Sequence, residues 1–468
     1  HASAVAAAER AREVPGAATT AVQLTARLTE IDLGGPRVST WTYGSLPGKE
    51  IRLARGARLQ VDLTNQLHQP TTVHWHGLAI RNDMDGVPDL TQSSVAAGDR
   101  FRYDFTVPES GTFWFHPHVG TQLDRGLYAP LIVEDPSDGA DYDEELVVVI
   151  DDWLDGTGQS PDTVLAALRR NGMGSMGGMS GSGASMPNMS MGGTPMPQSR
   201  LLGGDAGDVT YPYFLANGRV AAAPQVVTST PGRRFRLRLI NAGGDTAFRV
   251  GIPGQQLRVT HTDGFPIQPT TADAVLLGMG ERIDAIIELP DTPVSLLAVP
   301  EGKSGYAQVG FRVGTTALTH PAGLLAAFMT RPVLMSTDTR AAEQVRLPDR
   351  TPDVTHTLEL AGPIGTYRWT INGKTYDPAR GLPVRQGQSV RLRFANRTSM
   401  FHPMHLHGHT FQVRGASGAG PRKDTVLVLP SQTVEVDFVA DNPGQWLTHC
   451  HNVYHGEAGM MTVVSYVQ

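Results

Sequence analysis

Three stretches of the chain alternate polar and apolar residues between a glycine and an asparagine. They are Gly56-ARLQVDLT-Asn65, Gly232-RRFRLRLI-Asn241 and Gly387-QSVRLRFA-Asn396, with the asparagine nine residues after the glycine each time. Alternation with period two, closed by a turn-forming residue, predicts a half-buried β-strand that stops at the asparagine. The recurrence marks a divergent internal repeat. Nine residues after each asparagine stand His74, Val250 and His405; eleven after stand His76, Ile252 and His407. A second repeat follows, since Gly111-TFWF-His116-Pro117-His118 aligns with Gly444-QWLT-His449-Cys450-His451. In the middle copy Pro290 aligns with Pro108, which puts Ala298 and Pro300 at the matching places. The pattern predicts an all-β chain of three β-sandwich domains of one ancestry: an extension at 1–20, domain 1 at 21–140, domain 2 at 141–318, a linker at 319–345 and domain 3 at 346–468.

Composition agrees with a turn-rich β protein, with 52 Gly, 33 Pro and only 18% charged residues. A net charge of −6 gives no reason to bind nucleic acid. No stretch approaches the roughly 18 apolar residues that span a bilayer. The start, HASAVAAAER, lacks a charged-then-apolar export pattern, so any export peptide is expected to lie outside this sequence. One segment departs from the rest. Within a loop at 172–198, seven of the fifteen methionines fall at Met173, Met176, Met179, Met186, Met189, Met191 and Met196, among Gly, Ser and Pro that cannot build a core. Thioethers are soft ligands that select Cu(I). The segment is therefore expected to gather extra Cu(I), the alternative being a linker whose methionines are incidental.

The chemistry concentrates in four histidine motifs: His74-Trp75-His76, His116-Pro117-His118, His402-Pro403-Met404-His405-Leu406-His407, and His449-Cys450-His451 with His455 and Met460. They hold ten of the sixteen histidines and the only cysteine, which cannot form an intrachain disulfide. Two His, one Cys and a weak axial Met are the ligands of a blue-copper electron-transfer site. Alternate side chains of a strand point to opposite faces. Cys450 can thus face a copper inside domain 3 with His402, His455 and Met460, while His449 and His451 face away from it. Eight histidines then remain, four from each of domains 1 and 3, enough for three further coppers if the two domains face each other.

These motifs resemble those of the multicopper oxidases, the family of laccases and copper-resistance oxidases, over nearly the whole chain. The resemblance implies three cupredoxin-like Greek-key β-sandwiches and four copper ions. It implies a type 1 copper on His402, Cys450, His455 and Met460, and a type 2 copper on His74 and His405. One type 3 copper would lie on His76, His116 and His451, the other on His118, His407 and His449. By the same resemblance, electrons enter at the type 1 copper, pass through Cys450 to His449 and His451, and reduce O2 to water.

Asp85 matches an acid that relays protons near the cluster in related oxidases. Some bacterial relatives carry Glu directly after the second type 1 His; here that place is Gly456 and the acid is Glu457, one position on. Asp424 matches an acid near the type 1 site that meets an incoming metal cation; the alternative is a solvated strand-end carboxylate. The resemblance points to oxidation of Cu(I), with Fe(II) and phenols as further reductants, in copper tolerance and in the periplasm, cell envelope or outside the cell. The competing readings are a general laccase-like phenol oxidase and a non-catalytic copper-sequestering protein. The complete set of ten histidines argues against the second.

Overall fold

The computed structural model describes residues 2–138, 141–173, 197–318, 321–415 and 418–467. Each glycine-to-asparagine stretch is a strand ending at its asparagine: Arg58–Asn65, Arg234–Asn241 and Ser389–Asn396. Each occupies the same place in its domain. It runs parallel to the domain's first long strand (Thr19–Asp32, Glu144–Trp153 or Val354–Ile364) and antiparallel to a later one (Arg100–Thr106, Arg282–Glu288 or Thr433–Val439). A second sheet faces the first in each domain, so three β-sandwiches follow one another along the chain.

The asparagines explain why the strands stop there. All three are fully buried, and each side-chain carbonyl accepts the amide two residues on, from Leu67, Gly243 or Thr398. Each side-chain amide donates to two carbonyls: Gln69 and Val95, Thr246 and Leu277, or Met400 and Val428. A buried amide with all these bonds closes the turn and leaves no polar group unpaired.

The turn spans four residues in domains 1 and 3 (Asn65 to Gln69, Asn396 to Met400) but five in domain 2 (Asn241 to Thr246). One extra residue exchanges the faces of the strand that follows. Counting from Asn241 therefore lands on Val250 and Ile252, which lie in the apolar core. The outward place is Gly251, opposite Leu297. This corrects the alignment made from spacing alone.

The 319–345 stretch carries a helix, Ala322–Met329, and a short strand, Val333–Leu334, that joins a domain 2 sheet. Phe328 is buried against Ala274, Leu297 and Val299, and a side chain at Gly251 would press on its ring at 3.0 Å and collide with the Asp273 carbonyl. The buried Arg249, paired with Glu301 at 2.7 Å, donates to the carbonyl of Arg331 just past the helix. The segment is thus packed as a cover on domain 2. The expected extension at 1–20 carries a helix, Ala2–Arg12, whose Glu9 accepts the Thr106 amide and whose Arg12 donates to Asn442 of domain 3. Among the described residues no helix is long and apolar enough to cross a membrane.

Candidate metal centre

Trp75 anchors the first histidine pair. Its ring is buried 5.1–5.5 Å from those of Tyr103, Phe105 and Phe115 in the domain 1 core. Strand alternation then turns His74 and His76 out of that core, and His74 lies opposite His116 across the ladder. Leu406 plays the same part in domain 3, where His405 lies opposite His449. The two outward faces meet. His74 Nε2 is 3.4 Å from His405 Nε2, His118 Nε2 is 3.3 Å from His449 Nε2, and His76 Nδ1 is 3.2 Å from His451 Nε2.

On the other face of the last strand, Cys450 Sγ lies 3.5 Å from His402 Nδ1 and 3.6 Å from His455 Nδ1, and these nitrogens are 3.1 Å apart. Cys450 is buried there, and the buried Met460 accepts the Cys450 amide on its backbone carbonyl at 3.1 Å. Eight rings therefore converge between domains 1 and 3, while the Cys450 group sits inside domain 3.

Hydrogen bonds on the far side of each ring decide what the near side offers. Backbone carbonyls accept from Nδ1 of His74 (Asp85), His116 (Pro117), His405 (Asp424) and His449 (Cys450) at 2.8–2.9 Å. Carboxylates accept from His407 Nδ1 (Asp85), His76 Nε2 (Asp424) and His455 Nε2 (Asp208), each at 2.9 Å. The Thr398 hydroxyl sits 2.8 Å from His402 Nε2, with its own hydrogen directed to Asn396 or Met400. Only one ring nitrogen of a neutral imidazole carries hydrogen. The other nitrogen of each of these rings that stays neutral, pointing inward, is therefore a bare lone pair. His118 and His451 are the ligand candidates whose tautomers these bonds leave open, and His451 Nδ1 has no partner.

Lone pairs facing one another, at 3.4 Å between His74 and His405 and 3.1 Å between His407 and His449, repel unless a cation lies between them. Burial, with the neighbouring imidazoles, pulls His76, His116, His118, His402, His407, His449 and His451 well below the usual histidine range, which keeps their ligand nitrogens free of protons. His455 moves the other way. Burial lowers it, but its hydrogen bonds to Asp208 and Cys450 prevail and push it up to about 10. The Sγ and two Nδ1 atoms form a triangle whose centre is about 2 Å from each corner, the length of metal–nitrogen and metal–sulfur bonds. The donor set fits copper.

The expected acids fall in different places. Asp85 is buried, its Oδ2 on His407 Nδ1 and its Oδ1 3.2 Å from His74 Nδ1. Glu457 lines a cleft of about 590 Å³ together with His118, Asp89, Tyr376 and Met461, and burial raises its pKa. Asp424 requires a correction on both earlier readings. It is fully buried, not solvated, and it lies against His76, His405 and Arg282 rather than beside Cys450. Despite burial, Arg282 and His76 hold its carboxyl well below the usual range.

Residues of domain 2 that sequence reasoning passed over stand beside both groups. Asp208 holds His455 and accepts from the Tyr367 hydroxyl at 2.6 Å. Asp245 accepts from the Asp208 and Val209 amides, Lys303 and Asn452. Asn452 caps the helix Val453–Glu457, which carries His455. The middle domain therefore supplies side chains that hold the Cys450 group in place. No local signal marks these residues, which lie in ordinary loop sequence. Of the methionine-rich stretch, residues 174–196 lie outside the described residues.

Models of the multicopper oxidase family match residues 26–138, 144–299 and 349–468. The chain is 45% identical to a multicopper oxidase, MmcO, of Mycobacterium tuberculosis, over 99% of this chain and 90% of that protein. It is 27% identical to a copper resistance protein A homolog of Pseudomonas syringae pv. tomato, over 96% and 92%. Among solved structures, a multi-copper oxidase from Pseudomonas Thermotolerans superposes with a TM-score of 0.72 at 26% identity, over 97% of this chain and all of the other. Fet3p, titled a multicopper oxidase that functions in iron import, shares the fold with a TM-score of 0.76 at 21% identity, over 96% and 90%.

Proposed function

The chain belongs to the multicopper oxidase family, and from that membership we propose that it couples one-electron oxidation of Cu(I) to four-electron reduction of O2 to water. Fe(II) and phenols are further reductants, and the role is copper tolerance outside the cytoplasm. The cofactor of the family is four copper ions, one type 1, one type 2 and a type 3 pair, which supply the redox steps. In this reading His402, Cys450, His455 and Met460 hold the type 1 ion, and His74 with His405 the type 2 ion. His76, His116 and His451 hold one type 3 ion, and His118, His407 and His449 the other. The observation that carries the reading is the convergence of inward lone pairs between domains 1 and 3.

The residues divide the remaining work. Cys450 and its neighbours His449 and His451 are consecutive, so a thiolate on one centre is joined by one peptide unit to ring ligands on the other. Asp85 orients His74 and His407, and as a carboxylate on their N–H edges it is the proposed proton carrier on that side. Glu457, in the cleft beside His118, is the proposed proton source on the solvent side.

The flanks of the methionine-rich stretch support Cu(I) as reductant. Gly172 abuts Thr366, whose neighbour Tyr367 packs 6.4 Å from the His455 ring. On the other flank, Gln198–Ser199 pairs with Gly204–Asp205, and the Asp205 amide donates to Ser399, next to Thr398 and its bond to His402. Both flanks thus adjoin the proposed type 1 site.

The test compares catalytic efficiency on Cu(I) and on a phenol, with and without residues 173–196, following O2 uptake by the copper-loaded protein. Loss of Cu(I) turnover with phenol turnover kept is expected. Unchanged Cu(I) turnover removes the substrate preference in favour of a general phenol oxidase. No O2 uptake at all makes the protein a copper-sequestering one.

A further inference from the structure

Arg282, at the start of the domain 2 strand Arg282–Glu288, is completely buried among the three domains. A guanidinium has five N–H donors in a fixed planar fork. All five are used. Nε donates to Thr112 O of domain 1 at 3.0 Å, and Nη1 and Nη2 donate to Gly280 O and Asp263 O of domain 2 at 3.1 and 3.2 Å. The same two nitrogens clasp Asp424 of domain 3, Nη1 to Oδ1 at 2.9 Å and Nη2 to Oδ2 at 2.6 Å. Asp424 Oδ1 then accepts from His76 Nε2, and the Asp424 carbonyl accepts from His405 Nδ1. The backbone amides of Asp424 and Thr425 are held by Asp263, which also pairs with Lys423 at 3.0 Å.

Two glycines make room for this arrangement. At Gly77, with φ +93°, a Cβ would collide with the Arg282 and Asp424 side chains. At Gly280, with φ +85°, it would lie 2.9 Å from His451 and 3.0 Å from His76. The domain 2 turn therefore sits directly on the rings contributed by the other two domains.

We propose that Arg282 is a positioning residue for the trinuclear centre, its two-pronged grip on Asp424 fixing the carboxylate that aims His76 Nδ1 at the metal. The inference rests on the reading above that His76 is a copper ligand. A bidentate fork fixes the plane of the carboxylate, whereas a single ammonium leaves it free to turn. Once Asp424 turns, His76 loses the acceptor that sets its tautomer and ring angle. Loss of such a supporting partner costs about 10–100-fold in metal affinity. Domain 2, without copper ligands of its own, thus controls a ligand borne by domain 1 through a carboxylate borne by domain 3.

The test is chelator competition on the copper-loaded full chain, reading copper per chain together with the visible thiolate-to-copper band of Cys450. Arg282→Lys keeps the charge and loses the fork; Asp424→Asn keeps the shape and cannot accept from both prongs. Both are expected to release part of their copper at about 10–100-fold lower chelator concentration, with the Cys450 band unmoved. Arg249→Lys is the control, because Arg249 is another buried domain 2 arginine paired with a carboxylate, Glu301, but touches no candidate ligand. Parent-like copper retention in both variants overturns the inference. So does equal copper loss in Arg249→Lys, which would mean general loosening of domain 2. If the parent chain itself takes up no copper, the proposed function falls and this inference with it; if the parent binds copper and the Arg282 and Asp424 variants match it, only this inference falls.

Discussion

Domains 1 and 2 use one strand plan and expose opposite things on it. In domain 1 the strand after the asparagine turn directs Trp75 to the core and His74 and His76 outward, where domain 3 meets them. In domain 2 the turn is one residue longer, Val250 and Ile252 go to the core, and the outward Gly251 lies under Phe328 of the helix Ala322–Met329. The difference teaches that this face is useful only when something covers it. A histidine pair there needs a partner domain, which supplies the acceptor for the far nitrogen of His76; without one, a helix closes the face with hydrocarbon.

The most damaging way to test that contrast is to give domain 3 the apolar character of domain 2. His405→Val leaves His74 Nε2 without its partner and the Asp424 carbonyl without its donor, so O2 uptake by the copper-loaded protein is expected to disappear, with less copper per chain. Removing the cover from domain 2 comes next. Phe328→Ala, at a fully buried ring, is expected to cost about 3–5 kcal/mol in denaturant unfolding. The Cys450 copper band should survive it, and loss of that band would show that the face does more than pack.

A smaller effect is expected from Asp85→Ala, which takes away the acceptor shared by His74 and His407. Copper affinity or turnover should fall about 10–100-fold, and parent-like values for both would show that the Asp85 carboxylate does not orient these rings.

The smallest concerns Asp205, beside the flank of the methionine-rich stretch. Burial and the neighbouring Asp208 push its carboxyl up to about 6 from an ordinary 3.8. An acid with a raised folded pKa contributes stability below its unfolded pKa and loses it as pH rises through the folded value. Asp205→Asn is therefore expected to raise the melting temperature at pH 7–8 and leave it unchanged near pH 4. A uniform shift at both would assign the effect to packing.

Legibility in the sequence followed the range over which each constraint acts. Strand periodicity and the Gly-to-Asn interval are local, so the repeated strands and their ends could be read directly. The ten histidines and Cys450 were legible because a metal needs particular donor atoms at strand spacing. The inserted residue between Asn241 and Thr246 was not, since spacing alone cannot tell a longer turn from a longer strand. Asp424 was read as a type 1 neighbour because an acid in a motif carries no record of the domain that packs over it.

What the sequence determined by itself was the kind of chemistry and the folds that carry it: sandwich domains, soft and imidazole donors, and a strand that sends sulfur one way and rings the other. Only the tertiary structure decided which nitrogen faces inward on His76, His407 and His455. That choice belongs to Asp424, Asp85 and Asp208, brought within hydrogen-bond range by the docking of three domains, whereas His116 and His449 bond the carbonyl of the next residue. A tautomer is set by whatever acceptor reaches the far nitrogen, and for these three rings that acceptor comes from another domain, not from neighbours along the chain.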